Sequence, residues 1–229
     1  MPRSLRVGDS GLARWILFVT WLLVAPIASA EAEIADDSAP TTELRIGSGN
    51  PVLGKRKIQS ENCQECHGEN GVSSVVSVPK LAGQNSQYIV KQLLDFQSGK
   101  RSHPIMNAMA EGLTDDDLAD IAAYFASNTT MQGKATGESQ IAKDIFFRGD
   151  ITRNILPCKS CHGDTGKGSY SVTDSYPVIG GQHKIYLREQ LLNWRKGART
   201  NCPNGVMNII AKSLSDTEIE DLSNYISGL

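Results

Sequence analysis

Cys63-Gln64-Glu65-Cys66-His67 and Cys158-Lys159-Ser160-Cys161-His162 are two copies of one pattern, C-x-x-C-H, in a chain of 229 residues. Two thiols one helical turn apart can add to the two vinyl groups on one edge of a porphyrin, while the adjacent imidazole is aimed at the iron. Each copy is followed at once by glycine, Gly68 and Gly163. The pattern predicts two covalently bound haem c groups, attached at Cys63, Cys66, Cys158 and Cys161, with His67 and His162 each on an iron. A four-cysteine zinc site usually draws its C-x-x-C pairs from about 15 to 20 residues apart, and the gap here is far longer. A thioredoxin-like redox pair would need a βαβ context, which the sequence does not offer.

The stretch PKLAGQNSQYIVKQLLDFQSGKR from Pro79 aligns without a gap on PVIGGQHKIYLREQLLNWRKGAR from Pro177, at an offset of 98 residues. This is a duplication. Ile89, Leu93 and Phe96 in the first copy, and Leu187, Leu191 and Trp194 in the second, fall at i, i+4 and i+7, one face of an amphipathic helix. A second helix follows in each copy at an offset of 101. Thr114 with Asp117 and Ser215 with Glu218 read as capping boxes, and Leu113 or Leu214 can staple onto Leu118 or Ile219. Ser127 to Gln140 is rich in Ser, Thr, Gly and Gln and reads as the linker between the copies. No convincing alternating strand pattern is present. About 100 residues per copy bury little surface, and a bound porphyrin would supply an apolar centre to each.

The second axial ligand decides whether such an iron carries electrons or reacts with a small molecule. Methionine suits transfer, because its thioether favours ferrous iron and raises the potential. Met207 stands seven residues before Leu214, and among the methionines after the leader only Met106 stands seven before Leu113, so the repeat pairs Met106 with Met207 as iron ligands. Met109 aligns with Ile210 and reads as a core hydrophobe; Met131 lies in the linker. His103 could replace Met106 only in a rebuilt loop, and His183, aligned with Asn85, reads as a surface or capping residue. Cys202 is the odd cysteine, in a turn before Met207, and reads as an inert small hydrophobe, with interchain pairing or competition for iron as rivals. Arg101 and Arg199 occupy matching places, suited either to haem propionates or to solvent.

Arg3, Arg6 and Arg14 precede the apolar run from Trp15 to Ala25, and Ala28-Ser29-Ala30 supplies an A-x-A site, so residues 1–30 read as a secretory signal peptide cleaved after Ala30. Haem attachment is completed outside the cytoplasm in bacteria, so both signals point to the periplasm. Removing that leader takes three arginines and one aspartate from 23 basic and 25 acidic residues, leaving 20 and 24. The balance gives no hint of nucleic-acid binding. Residues 31–132 hold 8 Lys/Arg against 14 Asp/Glu and residues 133–229 hold 12 against 10, an asymmetry that can orient a carrier on its partners or be drift among solvated residues.

With both haem motifs, Pro79-Lys80-Leu81-Ala82-Gly83-Gln84 and its counterpart from Pro177 to Gln182, the Tyr-x-x-x-Gln-Leu elements at Tyr88 and Tyr186, and both methionines, the chain resembles the cytochrome c4 family from about Gly49 to Leu229. The resemblance implies an all-α fold of two tandem class I cytochrome c domains related by a pseudo-twofold axis, residues 31–132 and 133–229. It also implies haems facing across the interface, with His/Met ligation at His67, Met106, His162 and Met207. The implied function is a periplasmic electron carrier, not an enzyme, passing electrons from quinol-oxidising complexes or periplasmic donors to terminal oxidases, with peripheral association at the inner membrane. Two rivals share features with it: the dihaem subunit of a flavocytochrome c sulfide dehydrogenase, partnered by a flavoprotein, and a dihaem enzyme such as a thiosulfate dehydrogenase or a peroxidase.

Overall fold

Helix formation in each half follows from local caps and an apolar stripe. The computed structural model describes residues 48–134, 139–170 and 175–229; the expected leader and its cleavage site lie outside the described residues. In the first half, α1 (Pro51–Ser60), α2 (Cys63–His67), α3 (Ser86–Gln97), α4 (Pro104–Glu111) and α5 (Asp115–Ser127) follow one another. In the second come α6 (Gln140–Arg148), α7 (Lys159–His162), α8 (Lys184–Lys196), α9 (Val206–Ser213) and α10 (Asp216–Ser227). The only paired strands among the described residues are β1 (Ser169–Tyr170) and β2 (Ser175–Tyr176), a short antiparallel pair.

Both expected capping boxes form. Thr114 opens α5 by accepting from the Asp117 N–H, and Asp117 in turn accepts from the Thr114 N–H at 3.0 Å; Ser215 and Glu218 do the same for α10. Leu118 and Ile219, the staple partners, are essentially buried.

The first core gathers Ile58 of α1, Ile89, Leu93 and Phe96 of α3, and Leu118, Ile121 and Phe125 of α5. The second gathers Phe146 of α6, Leu187 and Leu191 of α8, and Ile219, Leu222 and Ile226 of α10. Each half therefore buries its own apolar cluster, as two repeated domains require. Helix α1, which the apolar pattern of the sequence does not single out, crosses α5 very closely. A Cβ on Gly54 would lie 2.0 Å from the Asp120 carbonyl oxygen, so only glycine lets the two backbones approach. Asp120 also accepts from the Asn50 N–H at 2.6 Å, tying the start of α1 to α5.

The linker is stitched to both halves. The Met131 N–H donates to Ala82 O at 3.0 Å and the Gly133 N–H to Leu229 O at 2.8 Å. Met131, placed in the linker by the sequence, is buried.

Candidate haem centres

Each C-x-x-C-H motif is one short helix ended by a glycine at positive φ, Gly68 at 80° and Gly163 at 78°. A Cβ at Gly68 would meet Val72 O at 2.4 Å, so the turn after His67 needs glycine for space as well as conformation. His67 Nδ1 lies 2.9 Å from Pro79 O and His162 Nδ1 lies 3.0 Å from Pro177 O. A carbonyl only accepts, so Nδ1 carries the proton and Nε2 keeps its lone pair for a metal. Burial pushes both imidazoles below their ordinary value, against the opposing pull of those carbonyls. They are held neutral, the form that ligates.

Burial likewise raises the Cys63 thiol and pushes Cys158 up to about 12. Among the described residues no three His, Cys, Asp or Glu gather into a metal-holding group, and none of the five cysteines forms a disulfide.

One continuous cavity of about 320 Å³ runs through both halves, and His67, Met106, His162 and Met207 all line it. Cys66, Cys158 and Cys161 line it as well; Cys63 instead packs at the edge of the first core. The methionines are positioned by their neighbours. Asn107 Nδ2 donates to Phe96 O at 2.6 Å and to Arg101 O at 3.0 Å, and Asn208 Nδ2 donates to Trp194 O and Arg199 O, both at 2.8 Å. These bonds pin α4 and α9 to the ends of α3 and α8. His103 caps α4, its Nδ1 accepting from the Met106 N–H at 3.3 Å. His183 does not cap α8; its Nε2 reaches Ser73 O in the first half at 2.9 Å. Cys202 is half-buried and is not among the cavity-lining residues.

Arg101 and Arg199 are not solvated surface groups. Arg101 donates to Gln92 at 2.7 Å and across the halves to Tyr186 at 3.0 Å and Gln190 at 3.2 Å. Arg199, only 6% exposed, mirrors it with Gln190 at 2.7 Å, Tyr88 at 3.1 Å and Gln92 at 3.0 Å. Their guanidinium groups also stack over Phe96 and Trp194.

The residues fit two haem groups. The cavity is walled mainly by apolar side chains, carries a neutral nitrogen and a thioether from each half, and has two arginines beside it. Trp194 Nε1 is buried without a hydrogen-bond partner and its ring lines the cavity, leaving a donor for a carboxylate such as a haem propionate.

Sequence reasoning did not find the carbonyls of Pro79 and Pro177, nor Asn107 and Asn208. The latter had a readable signal, since an asparagine follows each paired methionine at the same offset of 101.

The cytochrome c family model matches residues 52–129 and 156–229. The chain is similar to cytochrome c4 of Pseudomonas aeruginosa, 39% identical over 190 residues covering 82% of this chain and 92% of that protein. It is similar also to a thiosulfate dehydrogenase electron acceptor of Stutzerimonas stutzeri, 34% identical over 212 residues, 90% of this chain and 92% of that one. The crystal structure of reduced recombinant cytochrome c4 from Pseudomonas stutzeri superposes with a TM-score of 0.73 at 36% identity, over 79% of this chain and 99% of that chain. Two C-x-x-C-H helices, two cores and these likenesses agree on one covalently bound haem c in each of two domains: the chain belongs to the cytochrome c family, among the dihaem cytochromes c4.

Proposed function

We propose that this chain is a periplasmic electron carrier, not an enzyme, in which His67 and Met106 hold one iron and His162 and Met207 the other. Cys63 and Cys66 would tether the first haem, Cys158 and Cys161 the second. The domains run over residues 31–132 and 133–229, after a leader of residues 1–30. The carrying observation is that in each half a histidine, its Nδ1 engaged by a backbone carbonyl, lines the same cavity as a repeat-matched methionine.

When bound, each haem supplies a one-electron couple between ferric and ferrous iron. The chain's own residues fix the rest. Pro79 O and Pro177 O hold the imidazoles in the ligating tautomer. Asn107 and Asn208 hold the methionine helices in place, and a filled coordination sphere changes little between redox states. No described helix is long and apolar enough to cross a membrane, which accords with a carrier exchanging electrons between quinol-oxidising complexes or other periplasmic donors and terminal oxidases at the face of the inner membrane.

A second reading concerns the donor. The likeness to a thiosulfate dehydrogenase electron acceptor over 90% of the chain supports a thiosulfate-oxidising enzyme as one source of electrons. Membership of the catalytic class would need an open or unusually ligated iron, and Cys202 is not among the residues that line the cavity.

The test is the mature holoprotein. Pyridine haemochromogen should count two haems per chain, the oxidised protein should show the methionine-to-iron charge-transfer band from both, and the reduced protein should not bind carbon monoxide. Strong binding at one haem would move the protein to the enzyme class.

A further inference from the structure

The peptide that joins Pro79 to Lys80 is held at both ends. Its carbonyl accepts from His67 Nδ1 at 2.9 Å, and its N–H donates to Gln182 Oε1, in the other domain, at 2.9 Å. Gln182 Nε2 then donates to the next carbonyl, Lys80 O, at 2.9 Å, closing a two-pronged clamp. The second half repeats this in reverse. The carbonyl of the Pro177–Val178 peptide accepts from His162 Nδ1 at 3.0 Å, its N–H donates to Gln84 Oε1 at 2.8 Å, and Gln84 Nε2 donates to Val178 O at 2.9 Å. Both glutamines are only 4% exposed. Each Oε1 accepts also from the N–H that follows it in its own chain, Asn85 or His183, at 2.9 Å.

Hydrogen bonds in series polarise one another. An acceptor on the Lys80 N–H raises electron density on the Pro79 carbonyl, which then draws more strongly on the His67 Nδ1 proton. A metal-bound imidazole so engaged becomes a stronger donor to iron, as outer-shell partners of ligating histidines generally do. None of the other cross-domain hydrogen bonds described above reaches a carbonyl that holds a haem-motif histidine.

We propose that Gln84 and Gln182 are positioning residues that act crosswise, each domain's glutamine setting the basicity of the other domain's iron-bound histidine. This rests on the reading of His67 and His162 as iron ligands. Removing the clamp weakens the carbonyl as an acceptor, makes the imidazole a poorer donor and disfavours ferric iron. The affected haem should therefore become easier to reduce.

The experiment uses the dihaem holoprotein and the single variants Gln182→Ala and Gln84→Ala. Gln182→Met and Gln84→Met keep the side-chain bulk and serve where alanine disturbs folding. Midpoint potentials are read haem by haem from methyl resonances assigned to each domain, and amide exchange is read at Lys80 and Val178. Loss of Gln182 should raise the potential of the haem attached at Cys63 and Cys66 more than that of its neighbour. It should also speed exchange of the Lys80 N–H roughly tenfold, as expected for a lost buried hydrogen bond, with Val178 unchanged. Loss of Gln84 should give the opposite pattern. Equal displacement of both haems, or displacement confined to the variant's own domain, overturns the proposal, because simple loosening of the interface would produce either. Hyperfine-shifted ring protons of His67 and His162 in the oxidised wild type establish ligation separately. If they are present and the crossed pattern is missing, the clamp proposal fails while the ligand assignment stands.

Discussion

Asn208 occupies in the second half the place that Asn107 occupies in the first, each side-chain amide donating to the carbonyls of two residues that end the preceding helix and its turn. The residue before each is the methionine that faces the cavity. The segment that carries each cavity-lining methionine is thus fastened by an amide that donates two bonds, not by apolar packing alone.

Replacing Asn107 by alanine removes both bonds, and with them a third in which its Oδ1 accepts from the His103 N–H at 2.6 Å, leaving two carbonyls and one N–H without that partner. We expect a loss of about 1–3 kcal/mol, felt first as easier displacement of Met106. Titrating the oxidised variant with imidazole should show one haem losing its methionine band at several-fold lower ligand concentration than wild type. Unchanged displacement would show that α4 is held by other contacts.

Trp194 and Phe96 occupy matching places, but only the tryptophan carries a donor, and its Nε1 has no protein partner. Trp194→Phe should lower the potential of the haem attached at Cys158 and Cys161 by about 20 to 60 mV, the size of one net hydrogen bond, because a propionate left without that donor presents more negative charge to the iron. The other haem should not move. A shift shared by both haems would assign the indole a different role.

Arg153 ties the turn after α6 to α10, donating to Asp150 at 2.7 Å and to both oxygens of Glu218, at 2.8 and 3.1 Å. Hydrogen bonds from Thr152 and Arg153 bring the Asp150 carboxyl down to about 2, and Arg153 depresses Glu218 as well. Folded values below unfolded ones mean that this stabilisation is complete above the ordinary carboxylate range and drains away as the pH falls toward 2. Arg153→Ala should therefore move acid unfolding of the second domain to higher pH. Circular dichroism across a pH series checks this, and coincident curves would count against it.

Gly54→Ala forces a methyl group against the Asp120 carbonyl, with only 2.0 Å available. We expect a cost of about 1–3 kcal/mol and a lower Tm in calorimetry, roughly 2–4 °C for each kcal/mol. A variant as stable as wild type would mean that α1 can shift along α5 freely.

The two haem motifs, both capping boxes and the apolar stripes of α3 and α8 were legible because each is set by spacing within a few residues. That Met106 and Met207 occupy matching places, both lining the cavity, was legible because the duplication supplied an internal comparison. Helix α1 was not, since its contact face relies on Gly54, whose contribution is the absence of a side chain. Arg101 and Arg199 stood undecided between solvent and propionates because their partners, Tyr186 and Tyr88, lie 85 and 111 residues away in sequence. The Tyr-x-x-x-Gln-Leu elements were recognised as family features, yet nothing local shows that Gln92 and Gln190 each receive both arginines. His183, aligned with the helix-capping Asn85, turned out to serve the opposite half, a difference that no periodicity records.

The contacts between the halves are reciprocal: Gln84 meets Val178 as Gln182 meets Lys80, and Arg101 meets Tyr186 as Arg199 meets Tyr88. Such self-complementarity is the hallmark of a homodimer seam, now enclosed in a single polypeptide. In a true homodimer every substitution would fall on both sides of that seam at once. A fused chain is released from that constraint, so Trp194 can differ from Phe96 and His183 from Asn85 while the docking is kept. Covalent fusion thereby permits two haems of unequal character where identical subunits would be held to sameness.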